Sequence, residues 1–117
     1  MRFKILYIFL LYIFFFNPLF ANTKFFQEGL NLYNKKKFEK AKFKFEQDIV
    51  LNPKSEISYL YLAKIFKIEE NNQELGKYLE TALLLESSNE EAMYMLIEIE
   101  LENDESRTIT LSQNEII

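Results

Sequence analysis

Gly29, Ala41, Phe45 and Pro53 follow one another in steps of 12, 4 and 8 positions, and the pattern around them partly recurs with a period of about 34 residues. A period of that length describes a unit of two helices that buries its apolar faces only by stacking on its neighbours. The residue types suit such a unit. A small residue on one helix lets a second helix approach, another on that second helix completes the close crossing, and a bulky ring fills the adjoining gap. Gly29, Ala41 and Phe45 supply these three in order. Pro53 then ends the second helix, because the residue before a proline is pushed out of the helical region.

The first copy reads Phe25, Glu28-Gly29, Leu32, Phe38, Ala41, Phe45 and Pro53. One period further on stand Tyr59, Leu62-Ala63, Phe66, Leu75, Leu79, Ala82 and Ser87, and one more period brings Met93, Leu96, Ile97 and Glu100. This resembles the tetratricopeptide repeat, in which an aromatic residue, Leu-Gly, Tyr, Ala-x3-Phe and Pro follow one another. The chain departs from that pattern at Glu28, where the family has Leu, and at Asp48, where a second Ala is usual. The second copy has Leu75 for a small residue and Ser87 for Pro. The resemblance implies an all-α, right-handed stack of helix hairpins with about five helices after an N-terminal leader. A first repeat covers 22–55, a second 56–89, the first helix of a partial third 90–103, and a mobile tail 104–117. The repeat signature is carried by Phe25, Gly29, Ala41, Phe45, Pro53, Tyr59, Ala63 and Ala82.

Apolar spacing predicts helices in the same places. Phe25, Phe26, Leu30, Leu32 and Tyr33 give one from Thr23 to about Lys35, and Lys35-Lys36-Lys37 belongs to the turn. Phe38, Ala41, Phe45 and Ile49 form the stripe of a second, to Leu51. Ser55 is a suitable N-cap for a third reaching Ile68 or Glu69, its hydroxyl accepting from an orphan backbone N–H. Leu75, Leu79, Ala82 and Leu83 mark a fourth, in which Gly76 relieves crowding. Ser88 or Asn89 caps a fifth, from Glu90 to Asn103, with Glu90 and Glu91 where the helix dipole favours negative charge. The tail carries Ile109, Leu111, Ile116 and Ile117, which either stay free or pack on the third repeat or another chain.

The segment 1–21 has a different character. Arg2 and Lys4 precede an uncharged apolar run from Ile5 to Phe16, followed by Asn17-Pro18-Leu19-Phe20-Ala21. Positive, apolar and small-residue regions in that order describe a secretory signal peptide cut near Ala21. The alternative is an uncleaved membrane anchor, since Ile5 to Ala21 just reaches the lower end of the roughly 17 to 25 residues a span requires. Either reading exports the remainder, into the periplasm or anchored facing it, and the Phe, Ile, Lys and Asn content resembles what an AT-rich bacterial genome imposes. The chain has no cysteine, so no disulfide, thiol nucleophile or lipid-bearing cysteine is available.

Catalysis has little to draw on. The chain has no histidine, the commonest general base and metal ligand. Glu69-Glu70 and Glu90-Glu91 are adjacent on or beside helices, where neighbours point about 100 degrees apart and do not converge on one substrate. Only two glycines are present, so no Gly-rich phosphate loop exists. The expectation is a non-enzyme with no cofactor and no metal. Without Arg2 and Lys4, 12 basic residues face 18 acidic ones, which argues against nucleic acid. The charge is polarised: seven lysines from Lys24 to Lys44 against Glu28 and Glu39, then eight acids and no base from Glu86 to Glu105.

What remains is binding. In a tetratricopeptide stack the first helix of each pair lines a concave surface, and the resemblance implies a groove of Phe26, Leu30, Tyr33, Tyr61, Lys64, Lys67, Tyr94 and Glu98. Tyr, Phe and Lys together suit an extended peptide or a partner helix. The bland alternative packs Phe26, Leu30 and Leu60 against the neighbouring helix and leaves the lysines merely solvated. The carboxylate clamp of some family members has no counterpart, because Phe26, Leu30, Tyr61, Glu91 and Met95 occupy its positions. The expected function is an interaction module for another envelope protein. The rival is structural self-assembly, a homodimer formed through the uncovered third repeat.

Overall fold

The computed structural model describes residues 2–15 and 23–115. Among them the chain is all-helical, with six helices and no strand: α1 Arg2–Phe15, α2 Lys24–Asn34, α3 Phe38–Leu51, α4 Glu56–Ile68, α5 Asn72–Leu85 and α6 Glu90–Glu115. α2 packs on α3, α3 on α4, α4 on α5 and α5 on α6, so contact order follows chain order.

The repeat period is written in the backbone as well as in the side chains. At the end of α2, Lys36 takes a left-handed φ of 60°, and at the end of α4, Glu70 takes one of 57°. The Lys37 N–H donates to the Leu32 carbonyl at 2.9 Å, and the Asn71 N–H to the Phe66 carbonyl at 3.0 Å. Each is the long-range bond that closes a helix C-terminus through a left-handed residue. The second junction repeats too. Asn52 donates to Asp48 and Glu86 to Ala82, while Ser55 donates to Asn52 and Asn89 to Glu86. Ser87 replaces Pro53 without changing this, because Asn52 and Glu86 are both extended, at φ −132° and −141°.

Packing explains the small residues. A Cβ on Gly29 would lie 2.8 Å from the Phe45 ring, and Phe45 has no exposed surface. Ala41, Ala63 and Ala82 are fully buried. Two clusters make the core: Phe26, Ala41, Phe45, Leu62 and Ile65 between α2, α3 and α4, and Leu60, Ala63, Phe66, Leu75, Leu79, Ala82, Ala92, Met95 and Ile99 between α4, α5 and α6. Phe25 and Tyr59 are half-buried, and Pro53 is exposed at its turn. Within the second cluster the Tyr78 ring stacks on Phe66 at 5.2 Å, and burial raises its phenol above the ordinary value of 10.0, helped by Glu46 and Glu74.

Asp48, at the position where the repeat pattern has Ala, is 1% exposed. Its carboxylate accepts hydrogen bonds from the hydroxyls of Thr23 and Ser58. Thr23 also caps α2 by accepting from the Phe26 N–H, so one acid joins the start of α2, the end of α3 and the start of α4.

Several expectations require correction. Ser55 occupies the N-cap position of α4 but makes no capping bond; its hydroxyl donates to Ser58 at 3.0 Å inside the Asp48 network. Of the two expected caps of the fifth repeat helix, Asn89 is the one used, its side-chain oxygen accepting from the Ala92 N–H at 3.0 Å. Gly76 relieves no crowding, since an added Cβ would meet nothing within 4 Å. The helix expected to stop near Asn103 continues to Glu115, so the 104–115 part of the tail is helical, with every residue from Glu100 to Glu115 exposed. The hydroxyls of Ser106, Thr108 and Thr110 there donate to carbonyls of the preceding turn, so they are satisfied within the helix.

Ahead of the stack, α1 is helical and its side chains from Phe3 to Tyr12 are exposed. No helix among the described residues is long and apolar enough to cross a membrane. The expected cleavage position near Ala21, together with Pro18, Ile116 and Ile117, lies outside the described residues.

Candidate partner-binding groove

The first helices of the three units, α2, α4 and α6, lie side by side. Their contact is aromatic at one end: Tyr61 on α4 stacks on Phe45 at 5.2 Å and meets Phe26 and Tyr33 of α2 edge-on, at 6.1 and 5.0 Å. Phe26 is therefore core, and Leu30 and Tyr61 are half-buried against the same cluster. These three expected groove residues build the wall beneath the surface, as the bland alternative had it for Phe26 and Leu30.

The other five expected residues come together. Tyr33, Lys64, Lys67, Tyr94 and Glu98 line one open depression of about 560 Å³, joined by Ile68, Glu91 and Met95. Tyr33 supplies its α2 edge, the last turns of α4 its floor, and the first turns of α6 its far side. Tyr94 is 72% exposed and stands on that far side. Ile68 was missed because it follows the motif positions, although it lies one helical turn after Lys64 and so on the same helix face.

The lysines are not merely solvated. Lys64 reaches Glu91 at 2.7 Å and lies over the Tyr61 ring at 4.7 Å from its centroid, while Lys67 reaches Glu98 at 2.5 Å. Both pairs bridge α4 to α6 across the depression. Lys67–Glu98 joins groups open to water, and in Lys64–Glu91 the acid is open while Lys64 is half-buried; pairs at such a surface are worth about 0 to 1 kcal/mol. A charged group on an incoming chain can exchange with them at small cost. The depression thus offers two aromatic edges, an aliphatic floor and two exchangeable ion pairs.

Several acids elsewhere have structural partners. Glu69 closes α4 and pairs with Lys42 at 2.6 Å, and Glu28 pairs with Lys44 at 2.7 Å, whose ammonium holds its carboxyl below 4.5. Ser88 does the same for Glu86 through its hydroxyl and backbone N–H. Glu90 and Glu91 open α6. Among the described residues no group of His, Cys, Asp or Glu could hold a metal ion. No family model matches this chain, and no curated protein matches it.

Proposed function

We propose that the chain is a non-catalytic interaction module of tetratricopeptide type in a bacterial cell envelope. It captures a segment of another protein along the surface shared by α2, α4 and α6. One observation carries this reading: five residues chosen from the sequence as groove-lining, Tyr33, Lys64, Lys67, Tyr94 and Glu98, line a single depression. The recurrence of turn geometry from one unit to the next and the Gly29–Phe45 crossing support the tetratricopeptide assignment. The Arg2, Lys4 and apolar N-terminus supports export, to the periplasm or anchored facing it.

The partner segment matches apolar or aromatic side chains to Tyr33, Ile68 and Tyr94 and charged ones to the Lys64–Glu91 and Lys67–Glu98 pairs. Tyr94→Ala tests this better than a lysine reversal. Changing Lys64 or Lys67 to Glu would set it against Glu91 or Glu98 and strain the stack, whereas the Tyr94 ring is exposed. Affinity capture of tagged chain from envelope extracts should recover a partner whose yield falls in Tyr94→Ala and holds in Leu84→Ala, an exposed α5 control. Equal yield from both variants contradicts the groove.

A further inference from the structure

α6 is apolar on two opposite faces, and only one of them is covered. Ala92, Met95 and Ile99 pack into the core. On the other side Met93, Ile97 and Leu101 are exposed, at 45%, 53% and 66%. The repeat says what belongs there. Ile97 is the equivalent of Ala63, which is fully buried beneath α5 in the second unit, and α6 has no following helix among the described residues to cover it.

The charge around this face narrows the occupant. Glu90 flanks it at one end, and Glu100, Asp104 and Glu105 at the other. Two α6 faces laid together would oppose acids to acids. A lysine-flanked apolar stripe is required, and the chain carries one on the outside of α3. Phe43, Val50 and Leu51 are exposed there, with Lys36, Lys37 and Lys40 before them, outnumbering Glu39, and Lys54 after them. Lys36, Lys37, Lys40 and Lys54 enter no ion pair among the described residues.

We propose that a second copy of this chain covers α6 with the outer face of its α3, the two helices running antiparallel. The apolar spans agree: Phe43 to Leu51 of α3 and Met93 to Leu101 of α6 are each about 12 Å along a helix. In this register Phe43 meets Leu101, Val50 and Leu51 meet Met93, and Ile97 lies between them. Lys40 on α3 reaches Asp104 and Glu105, and Lys54, in the turn that follows α3, lies at the Glu90 end. The antiparallel direction sets the denser lysine end against the denser acid end, and opposes the helix dipoles favourably. A contact between two helices of this length belongs with the small transient interfaces, under about 1,200 Å². Concentration therefore decides whether it forms.

The test is light scattering of the full chain over a concentration series, with charge reversals. Lys40→Glu and Asp104→Lys should each weaken association by about fivefold, the upper end of what one exposed ion pair contributes. Mixing the two variants should restore it, because the reversed charges then meet across copies. A cysteine-free chain permits a second readout: Phe43→Cys mixed with Leu101→Cys should give a disulfide-linked heterodimer under mild oxidation. Association through the apolar N-terminus alone would ignore these substitutions and overturn the proposal. Restoration of Lys40→Glu by Glu90→Lys and not by Asp104→Lys would overturn the antiparallel register, and a monomer at every concentration would overturn the contact itself.

Discussion

Changing Gly29 and Gly76 to alanine should move stability in opposite directions, although each substitution adds one methyl group to a helix. At Gly76 the new Cβ meets nothing within 4 Å, so only the intrinsic gain operates, about 0.5 to 1 kcal/mol. At Gly29 the same gain is set against a Cβ placed 2.8 to 3.1 Å from three atoms of the Phe45 ring. That ring cannot slide away, because it is fully buried with Phe26 and Tyr61 at centroid distances of 5.9 and 5.2 Å. Overpacking of this kind costs about 1 to 3 kcal/mol, so the net change at Gly29 runs from near zero to about 2.5 kcal/mol destabilising. For a stack of this size each kcal/mol is worth about 4 to 8 °C in melting temperature. Thermal unfolding followed by circular dichroism should place Gly29→Ala several degrees below Gly76→Ala. In a Phe45→Leu background the difference should shrink, since the two sites are coupled through the ring. Equal stabilisation by both alanines would refute the close crossing of α2 and α3.

Asp48→Ala should lower the urea midpoint by the cost of stranding the hydroxyls of Thr23 and Ser58, about 1 to 3 kcal/mol, and adding Ser58→Ala should cost less in that background than alone. Tyr78 predicts an alkaline effect. Its folded value lies above 10.0, so the unfolded chain loses this proton first and stability falls as pH rises from 10 towards the folded value. Tyr78→Phe keeps the ring on Phe66 and should flatten that part of the pH–stability curve, measured against the parent chain.

The helices were legible because their signals are local. The stripes Phe38, Ala41, Phe45 and Leu75, Leu79, Ala82 recur at helical spacing, and α3 starts and ends where spacing and Pro53 put it. Asp48 was also within reach. It follows Phe45 by just under one helical turn on the buried stripe, so its burial followed from position, while its partners Thr23 and Ser58 lie 25 and 10 residues away and needed the fold. The extent of α6 was missed because its polar residues past Asn103 read as a chain end, whereas their hydroxyls bond within the helix. Of the groove, the helix face was readable from the repeat, but depth was not. Phe26 and Tyr33 lie on the same helix, and only the placement of Tyr61 makes one core and the other an edge of the depression.

The most direct measurement of the central claim is a photo-crosslinking scan in the living envelope, with the reactive side chain placed in turn at Tyr33, Ile68, Tyr94, Phe43 and Leu84. The groove account predicts one common partner protein captured from Tyr33, Ile68 and Tyr94, and no capture of that partner from Phe43 on α3 or Leu84 on α5. Capture of the same partner from Phe43 or Leu84, with none from the three groove positions, would contradict it.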